Sequence, residues 1–344
     1  MPSSPPNTDA ILNQVIADKY RVERVLGSGG MGRVYAATQL DVGRSVALKV
    51  LHPELAPNPL VVKRFLRESK ATARIEHPNT VRLYDFGEDA AGRIFLAMEL
   101  VEGRTLSDEL RATGPLPIDR LVRIGGQIAA GLAAAHAEGV VHRDLKPSNL
   151  MLCTRHDLRD HVKVLDFGIA HFADPSDTGD GERLTQTGMV MGTPEFMAPE
   201  QVVPGPVDAR ADLYALGCVL FLLSTGRVPF RGKSAVSTMY AHVTDPAPSP
   251  RSLRADLPLW FDALVLQLLE KSPGQRPDSA LAVIEALEHG ASLPDGAPPS
   301  APVPQPAREL RTPGVYVSVG LVVAIIALAL TACVLVGALV SGHE

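Results

Sequence analysis

The sequence predicts an α+β fold in two lobes, followed by one transmembrane helix. Residues 18–101 alternate short runs rich in β-branched side chains with glycine turns, which indicates strands. Residues 102–289 are dominated by longer apolar patterns of helical period. Near the C-terminus, a run without any charged residue extends from Val315 to Val340. The expected order is a strand-rich lobe, a helix-rich lobe, a linker and a spanning helix.

Residues 1–17 are expected to form a polar leader, without the basic start and apolar run of a secretory signal peptide. In the first lobe, a helix is predicted from Leu60 to about Ile75, between strands on either side. In the second lobe, an alanine-rich helix is predicted from about Asp119 to Glu138, because its apolar residues recur with a period near 3.6. Residues 210–289 are predicted to be mainly helical.

The C-terminal part of the chain has two different compositions. Residues 290–313 contain seven prolines and few large apolar side chains, so an extended cytosolic linker is expected. The 26 residues from Val315 to Val340 carry no charge and would reach about 39 Å as a helix, enough to cross a bilayer. A transmembrane helix is therefore predicted over residues 314–340, with a short tail at residues 341–344. A buried core helix is the alternative.

The orientation of this helix follows from its flanks. Arg308 and Arg311 precede it and no Lys or Arg follows, so its N-terminal side is expected in the cytoplasm. Ala329, Cys333 and Gly337 recur every four residues. Such a face of small residues can let two helices dimerise, but the pattern favours the alternative of an ordinary lipid-facing anchor.

Composition excludes some classes of function. The formal net charge is −5, which gives no support for nucleic-acid binding, because such proteins carry a basic surface. Cys153, Cys218 and Cys333 are far apart and form no CxxC pair. Neither a zinc site nor a disulfide framework is expected, and reduced thiols in the cytosol are the simplest interpretation.

A glycine-rich motif, GxGxxG, extends from Gly27 to Gly32. Glycines let backbone N–H groups approach phosphate oxygens without a clash from Cβ. Dinucleotide-binding folds use the same spacing, but there a helix follows the glycines. Here residues 34–38 have a strand pattern, so a hairpin over phosphates fits better. A plain glycine turn is the alternative.

Lys49 ends the apolar stretch that begins at Val46. A lysine on such a strand is informative only with a partner, and Glu68, in the predicted helix, is the candidate. An ion pair between them would direct the ammonium group at the phosphates of ATP. The alternative is that Glu68 is a solvated helix charge.

The most specific motif is HRDLKPSN, which places Asp144, Lys146 and Asn149 on one loop. Asp144 can accept the proton of a substrate hydroxyl, Lys146 can neutralise a transferring phosphoryl group, and Asn149 can hold a magnesium ion. Asp166 starts a DFG tripeptide after the apolar strand of residues 162–165. A carboxylate there is well placed for Mg²⁺ that bridges two phosphates.

Taken in chain order, these motifs resemble those of the protein kinase superfamily, and in detail those of the bacterial eukaryotic-like Ser/Thr kinases. The resemblance covers about residues 20–289 and extends to the GTPE, APE and DLYALG motifs, which begin at residues 192, 198 and 212. It implies the two-lobed protein kinase fold, with a small strand-rich N-lobe at residues 18–101 and a larger helical C-lobe at residues 102–289. It also implies an ion pair between Glu200 and Arg276, and that Asp212 anchors the backbone of the catalytic loop.

The resemblance also implies roles for the site residues. Asp144 is the catalytic base, Lys146 steadies the γ-phosphate, and Lys49 is held by Glu68. Met98 lies at the back of the adenine pocket, and the hinge follows it. Asn149 and Asp166 bind Mg²⁺, with Mn²⁺ as a second possibility. The residues expected to contact the nucleotide are Leu26, Gly27, Ser28, Gly29, Gly30, Met31, Gly32, Arg33, Val34, Ala47, Lys49, Glu99, Val101 and Met151.

Activation is expected to depend on the loop that runs from Asp166 to Glu200. In the family, the arginine before the catalytic aspartate, here Arg143, receives a phosphate from that loop, and Thr185 and Thr187 are the candidate phosphorylation sites. Thr193 is expected to contact the loop aspartate, and Lys146 with Gly192-Thr193 fits the Ser/Thr pattern rather than the tyrosine one. The stretch from Cys153 to His161 is expected to be a turn that is longer and more charged than usual.

These expectations describe an ATP-dependent Ser/Thr protein kinase, anchored to the cell membrane with its kinase domain in the cytoplasm. The expected partners are ATP, protein substrates, membrane lipid and, through the small-residue helix face, a second copy of the chain. A catalytically inactive kinase-fold scaffold is the alternative. A small-molecule phosphotransferase of similar fold is disfavoured by the APE motif and the threonine-rich loop, which serve protein substrates in the family.

Overall fold

The computed structural model describes residues 11–29, 32–53, 59–155, 158–167, 193–203 and 205–292. All of them belong to one unit, Met1–Pro299. No helix among these residues is long and apolar enough to cross a membrane. The predicted span at residues 314–340, most of the proline-rich linker and the two candidate phosphorylation sites, Thr185 and Thr187, lie outside the described residues.

The first lobe is a six-stranded sheet with one helix, as its alternating pattern predicts. The strand order is β1-β2-β3-β4-β6-β5, and all neighbouring strands are antiparallel. The elements are β1 (Val15–Ile16), β2 (Tyr20–Gly29), β3 (Gly32–Gln39), β4 (Arg44–Leu51), α1 (Pro59–Thr72), β5 (Leu83–Glu88) and β6 (Ile94–Glu99). The helix predicted from Leu60 to about Ile75 is α1, which ends three residues earlier.

Strand β4 shows how the sheet divides its two faces. Its side chains alternate, as a period of two requires. Val46, Leu48 and Val50 pack into a cluster on one face with Tyr20 and Phe95. On the opposite face, Ala47 and Leu51 pack with Phe65 of α1 and with Leu96 and Met98 of β6. Lys49 lies between Ala47 and Leu51 on this second face, so its ammonium group is directed towards the cleft.

The second lobe is helical apart from a small sheet of order β7-β8-β9. The helix predicted from Asp119 to Glu138 is α3 and agrees within one residue at each end. The elements are β7 (Arg104–Thr105), α2 (Leu106–Thr113), α3 (Ile118–Ala137), β8 (Leu150–Arg155), β9 (Leu158–Val164), α4 (Pro199–Val202), α5 (Arg210–Thr225), α6 (Ala235–Thr244), α7 (Leu259–Leu268) and α8 (Ala280–Ala291).

Helix α5 is the centre of this lobe. It is apolar around most of its circumference, and most of its residues are buried, including Asp212, as expected for a helix surrounded by other elements. The helices α3 and α7 both pack against it. It ends at Gly226, whose positive φ of 76° is a left-handed cap and whose N–H donates to the carbonyl of Leu222 at 2.8 Å.

The segment from Cys153 to His161 is mainly strand, so the prediction of a long charged turn is wrong. Cys153 pairs with His161 across β8 and β9, and only residues 156 and 157 separate the two strands. The charges are accommodated because Arg120 of α3 forms a bidentate pair with Asp160, at 2.7 and 2.8 Å. The same guanidinium reaches the buried carboxylate of Glu109.

Candidate active site

The carboxylate of Asp212 anchors the backbone of the catalytic loop. This carboxylate is fully buried. It accepts the backbone N–H groups of His142 and Arg143, each at 2.8 Å, and lies 2.7 Å from Nε2 of His136. Arg143 has a positive φ of 64°, a conformation that costs a residue with a Cβ some free energy. The hydrogen bonds to Asp212 offset that cost, which confirms the predicted anchoring role.

The three polar side chains of the loop converge. Nζ of Lys146 donates to Oδ2 of Asp144 at 2.7 Å, and Nδ2 of Asn149 donates to the carbonyl of Asp144 at 2.9 Å. Lys146 also donates to Oγ1 of Thr193 at 2.9 Å. Thr193, expected to contact the loop aspartate, thus reaches it through Lys146. A positive charge therefore lies directly beside the carboxylate of Asp144.

Asp166 faces this loop from the end of β9. Its φ is 55°, and its Oδ1 forms an ion pair with Nζ of Lys49 at 3.0 Å. Burial raises the pKa of Asp166, but the ammonium of Lys49 and the nearby His142 and Lys146 outweigh that effect. The pKa of this carboxyl therefore lies below its usual range, and it is anionic at neutral pH.

The rest of the DFG segment is held by His142. Its ring lies 5.0 Å from that of Phe167, centre to centre, and its Nε2 donates to the carbonyl of Leu165 at 2.8 Å. The N–H of Leu165 donates to the carbonyl of Asn149 at 2.9 Å. The catalytic loop and the DFG segment are thus joined on both sides of Asp166.

The ion pair predicted between Lys49 and Glu68 stays a prediction. In the structure, Lys49 contacts Asp166. Glu68 lies on α1 with a partly buried side chain, and one of its contacts, at 3.7 Å, is to the guanidinium of its neighbour Arg67.

The donor atoms around the loop suit a divalent cation. Asn149 uses Nδ2 for Asp144, which leaves its Oδ1 for a cation, and Asp166 contributes an anionic carboxylate. Among the described residues, no group of three or more His, Cys, Asp or Glu side chains is arranged to hold a metal by itself. A carboxylate with an amide oxygen fits Mg²⁺, which takes few protein ligands and completes its shell with water and phosphate oxygens.

Most of the predicted nucleotide-binding residues that the structure describes lie on strands, whereas Val101 follows β6 outside any strand. Strands β2 and β3 form the expected hairpin, with Gly29 opposite Gly32, whereas Gly30 and Met31 lie outside the described residues. A strand rather than a helix follows the glycines, which excludes the dinucleotide-binding arrangement. Gly32 has to be a glycine because a Cβ there would collide with the carbonyl oxygen of Val50.

The other residues predicted around the nucleotide lie on five strands. Val34 pairs with Lys49 across β3 and β4, and Ala47 pairs with Met98 across β4 and β6. Leu26 lies on β2, Arg33 on β3, and Met151 on β8 in the second lobe. Met98 is buried. The strand register therefore brings Val34, Ala47 and Met98, which are far apart in sequence, to the same face of the first sheet.

The hinge after Met98 is braced by a residue that the sequence did not reveal. The N–H of Glu99 donates to the carbonyl of Arg82 at 2.8 Å, so it is not free for adenine. The carboxylate of Glu99 pairs with Nζ of Lys163 at 2.8 Å. Lys163 also donates to the carbonyl of Thr80 at 3.1 Å. Its only signal in the sequence is a lysine within the apolar strand β9.

The predicted ion pair of Glu200 and Arg276 is confirmed, with bidentate contacts of 2.6 and 2.8 Å. The side chain of Arg276 is completely buried. Its guanidinium also donates to the backbone carbonyls of Arg210, Glu270 and Lys271. Such a saturated guanidinium fixes the segment that carries Thr193 against the helical lobe.

Comparisons with known proteins agree with this geometry. The family model of the protein kinase domain matches residues 20–289. The serine/threonine-protein kinase pkn3 of Myxococcus xanthus is 45% identical over 285 residues, which cover 82% of this chain and 52% of that protein. The serine/threonine-protein kinase PknH of Mycobacterium bovis is 42% identical over 272 residues, covering 78% and 44%. The chain thus spans about half the length of these curated relatives.

Solved structures give the same result for the fold. The crystal structure of the PknI kinase domain from Mycobacterium tuberculosis aligns with a TM-score of 0.63 and 28% identity, and covers 82% of this chain and 100% of that one. A single-residue mutant of the same domain aligns with a TM-score of 0.64. With the family model, the relatives and the two-lobed fold in agreement, the chain belongs to the protein kinase family and carries a kinase domain of the bacterial serine/threonine class.

Proposed function

We propose that this chain is an active kinase that transfers the γ-phosphoryl group of ATP to serine or threonine hydroxyls of protein substrates. One observation carries the proposal. The carboxylate of Asp144, the ammonium groups of Lys49 and Lys146, and the side chains of Asn149 and Asp166 are linked by contacts of 2.7 to 3.0 Å. Protein kinases use ATP and a divalent metal, and the carboxylate and amide oxygens of Asp166 and Asn149 favour Mg²⁺, with Mn²⁺ as a second possibility.

The residues divide the work of phosphoryl transfer, in which positioning and electrostatics dominate. Asp144 accepts the proton of the attacking hydroxyl. Lys146 neutralises charge on the transferring group while its bond to Thr193 fixes its position. Lys49 pairs with the phosphates that precede the transferred one. Mg²⁺, when bound, would compensate the charge of the phosphate oxygens.

Two variants test this proposal. Asp144→Asn keeps the size of the side chain but removes the base, and Lys49→Met removes the phosphate contact. Loss of a general base costs about 10²–10⁴-fold, so each variant should nearly abolish peptide phosphorylation by the full chain. Circular dichroism serves as the folding control. Near-normal turnover in a folded variant would contradict the assignment, and an inactive wild type with bound ATP would support the scaffold alternative.

We further propose activation by autophosphorylation at Thr185 or Thr187. The support is Arg143, whose Nε is buried without a hydrogen-bond partner among the described residues. A phosphate would add a charge of about −1.5 to −2 and three acceptor oxygens, to which the unsatisfied N–H of the guanidinium can donate. Mass spectrometry after incubation with Mg-ATP should find phosphate on one of these threonines. Phosphate only outside residues 170–193 would exclude the loop mechanism.

The membrane anchor is a proposal from the sequence alone. The uncharged run at residues 315–340, preceded by Arg308 and Arg311, supports a single-pass helix with the kinase domain in the cytoplasm. Protease added to intact cells should spare the kinase domain, whereas detergent-opened spheroplasts should lose it. Cleavage within residues 20–289 from outside intact cells would overturn this orientation. If the small-residue face pairs two helices, Gly337→Ile should weaken self-association in a membrane reporter assay.

A further inference from the structure

An open cleft lies beside the catalytic loop, outside the nucleotide site. Its volume is about 600 Å³, within the range of ligand sites in proteins. It starts at Lys146 and Thr193 and ends at Arg227 and Arg231, beyond the C-terminus of α5, with Leu222 contributing apolar surface. A peptide whose hydroxyl reaches Asp144 therefore passes along this cleft, because Lys146 belongs to both sites.

The far end of the cleft carries uncompensated positive charge. The residues Arg227 and Arg231 are exposed, and neither forms an ion pair with a carboxylate within the described part of the chain. By contrast, Lys146 is paired with Asp144. Glu195 is the acidic residue in the lining. The charge that remains for a ligand at this end is therefore positive.

The backbone that carries the two arginines is held in place. The N–H of Arg227 donates to Oγ1 of Thr225 at 3.2 Å, directly after the left-handed cap at Gly226. Phe230 is buried, and the N–H of Gly232 donates to Oγ1 of Thr238 at 3.0 Å. A fixed backbone lowers the ordering cost of binding, so the two guanidinium groups are presented to the cleft from a rigid turn.

We propose that Arg227 and Arg231 select protein substrates with acidic side chains near the acceptor serine or threonine. This inference rests on the proposed kinase function and names the substrate class that it takes. A guanidinium group matches a carboxylate in a bidentate geometry that an ammonium cannot reproduce. The apolar surface of the cleft then contacts the backbone and the uncharged side chains of the peptide.

The chain itself contains a segment of this chemistry. Residues 174–182 hold four acidic residues and no basic one, and they directly precede the region of Thr185 and Thr187. Their charge is complementary to the cleft of a second copy of the kinase. The loop of another copy is therefore a substrate of the class that the two arginines select, and its sequence provides the test peptide.

The experiment compares two peptides with the full-length chain. One peptide has the sequence of residues 172–190, and the other has Asp174, Asp177, Asp180 and Glu182 replaced by the corresponding amides. Phosphate on Thr185 and Thr187 is measured by mass spectrometry, and kcat/KM is determined for each peptide. Two exposed charge pairs of ordinary strength predict about a fivefold preference for the acidic peptide. The preference should appear in KM rather than kcat and should shrink as the salt concentration rises.

The ratio of kcat/KM for the acidic peptide to kcat/KM for the amide peptide is then measured in variants. The double variant Arg227→Gln/Arg231→Gln should phosphorylate both peptides with equal kcat/KM. The matched control is Arg123→Gln, at an exposed arginine on α3 outside the cleft, and it should keep the wild-type ratio. Equal use of both peptides by the wild type, or an unchanged ratio in the double variant, would overturn the inference while the kinase function stands. Failure to phosphorylate any peptide would instead refute the kinase function.

Discussion

Replacement of the buried carboxylate below the catalytic loop is the most direct test of how the site is held together. Asp212→Asn keeps the shape of the side chain but replaces one acceptor oxygen by an NH₂ group. In the wild type, both oxygens are used, for the N–H groups of His142 and Arg143 and for His136. In the variant, the NH₂ group of the asparagine faces another hydrogen-bond donor, so one buried N–H loses its partner.

The magnitude follows from these contacts. A buried N–H without a partner costs about 1–3 kcal/mol, and hydrogen bonds to a charged group contribute more than neutral ones. We therefore expect a loss of about 2–4 kcal/mol in the free energy of unfolding, or roughly 5–15 °C in Tm for a domain of this size. Because the bonds to Asp212 also hold Arg143 at a positive φ, Asp144 should shift and kcat should fall about 100-fold.

The assay is urea unfolding of the full-length chain, combined with peptide phosphorylation. Asp256→Asn is the matched control: Asp256 contacts Arg254 at 3.2 Å, but its side chain is 70% exposed, so its removal should cost no more than about 0.5 kcal/mol. If Asp212→Asn unfolds within about 0.5 kcal/mol of the wild type, the carboxylate does not hold the loop and the reasoning is refuted.

Two further predictions concern the helical lobe. Arg276→Lys should destabilise the chain by about 3–5 kcal/mol in urea unfolding, because a lysine cannot satisfy both Glu200 and the surrounding carbonyls; a loss below about 1 kcal/mol would contradict this. Burial and the nearby Lys271 lower the pKa of His242 to about 4, so between pH 6.5 and 4 the unfolded chain binds a proton that the folded chain does not. Lowering the pH from 7.5 to 5 should therefore reduce the free energy of unfolding by about 2 kcal/mol through His242. The variant His242→Asn should lack this part of the pH dependence. Equal pH dependence in both proteins would exclude a contribution from His242.

The elements with a local signal could be predicted from the sequence. The alternation around Lys49 placed it on a strand, and the period of the alanine-rich segment defined α3 within a residue at each end. The ion pair of Glu200 and Arg276 and the role of Asp212 were implied by the resemblance to protein kinases that the motifs carry, and both are present in the structure. These features could be predicted because periodicity and motif order are properties of short stretches of chain.

Contacts between charged residues that no family motif covers could not be predicted in the same way. The contact of Lys49 with Asp166 has no signal in the sequence, since any carboxylate that the fold brings close satisfies an ammonium. Lys163 and Glu99 are likewise joined only by the fold. The sequence shows that a buried charged residue requires a partner of opposite charge, whereas tertiary packing determines which residue that partner is.

The brace at Lys163 has a mechanical consequence for opening of the cleft. The backbones of the two lobes are connected at the hinge after Met98 and at a second place, where Val81 and Asn79 exchange hydrogen bonds of 3.0 and 2.8 Å with Val164. A body that is held at two points keeps one rotation, about the line through both points.

Lys163 lies on that line, because its ammonium contacts Thr80 at one attachment and Glu99 at the other. Displacement is smallest near an axis, so these two bonds can persist while the glycine-rich hairpin moves. The lobes are therefore expected to rotate relative to each other about a single axis, and Lys163 lies close to that axis.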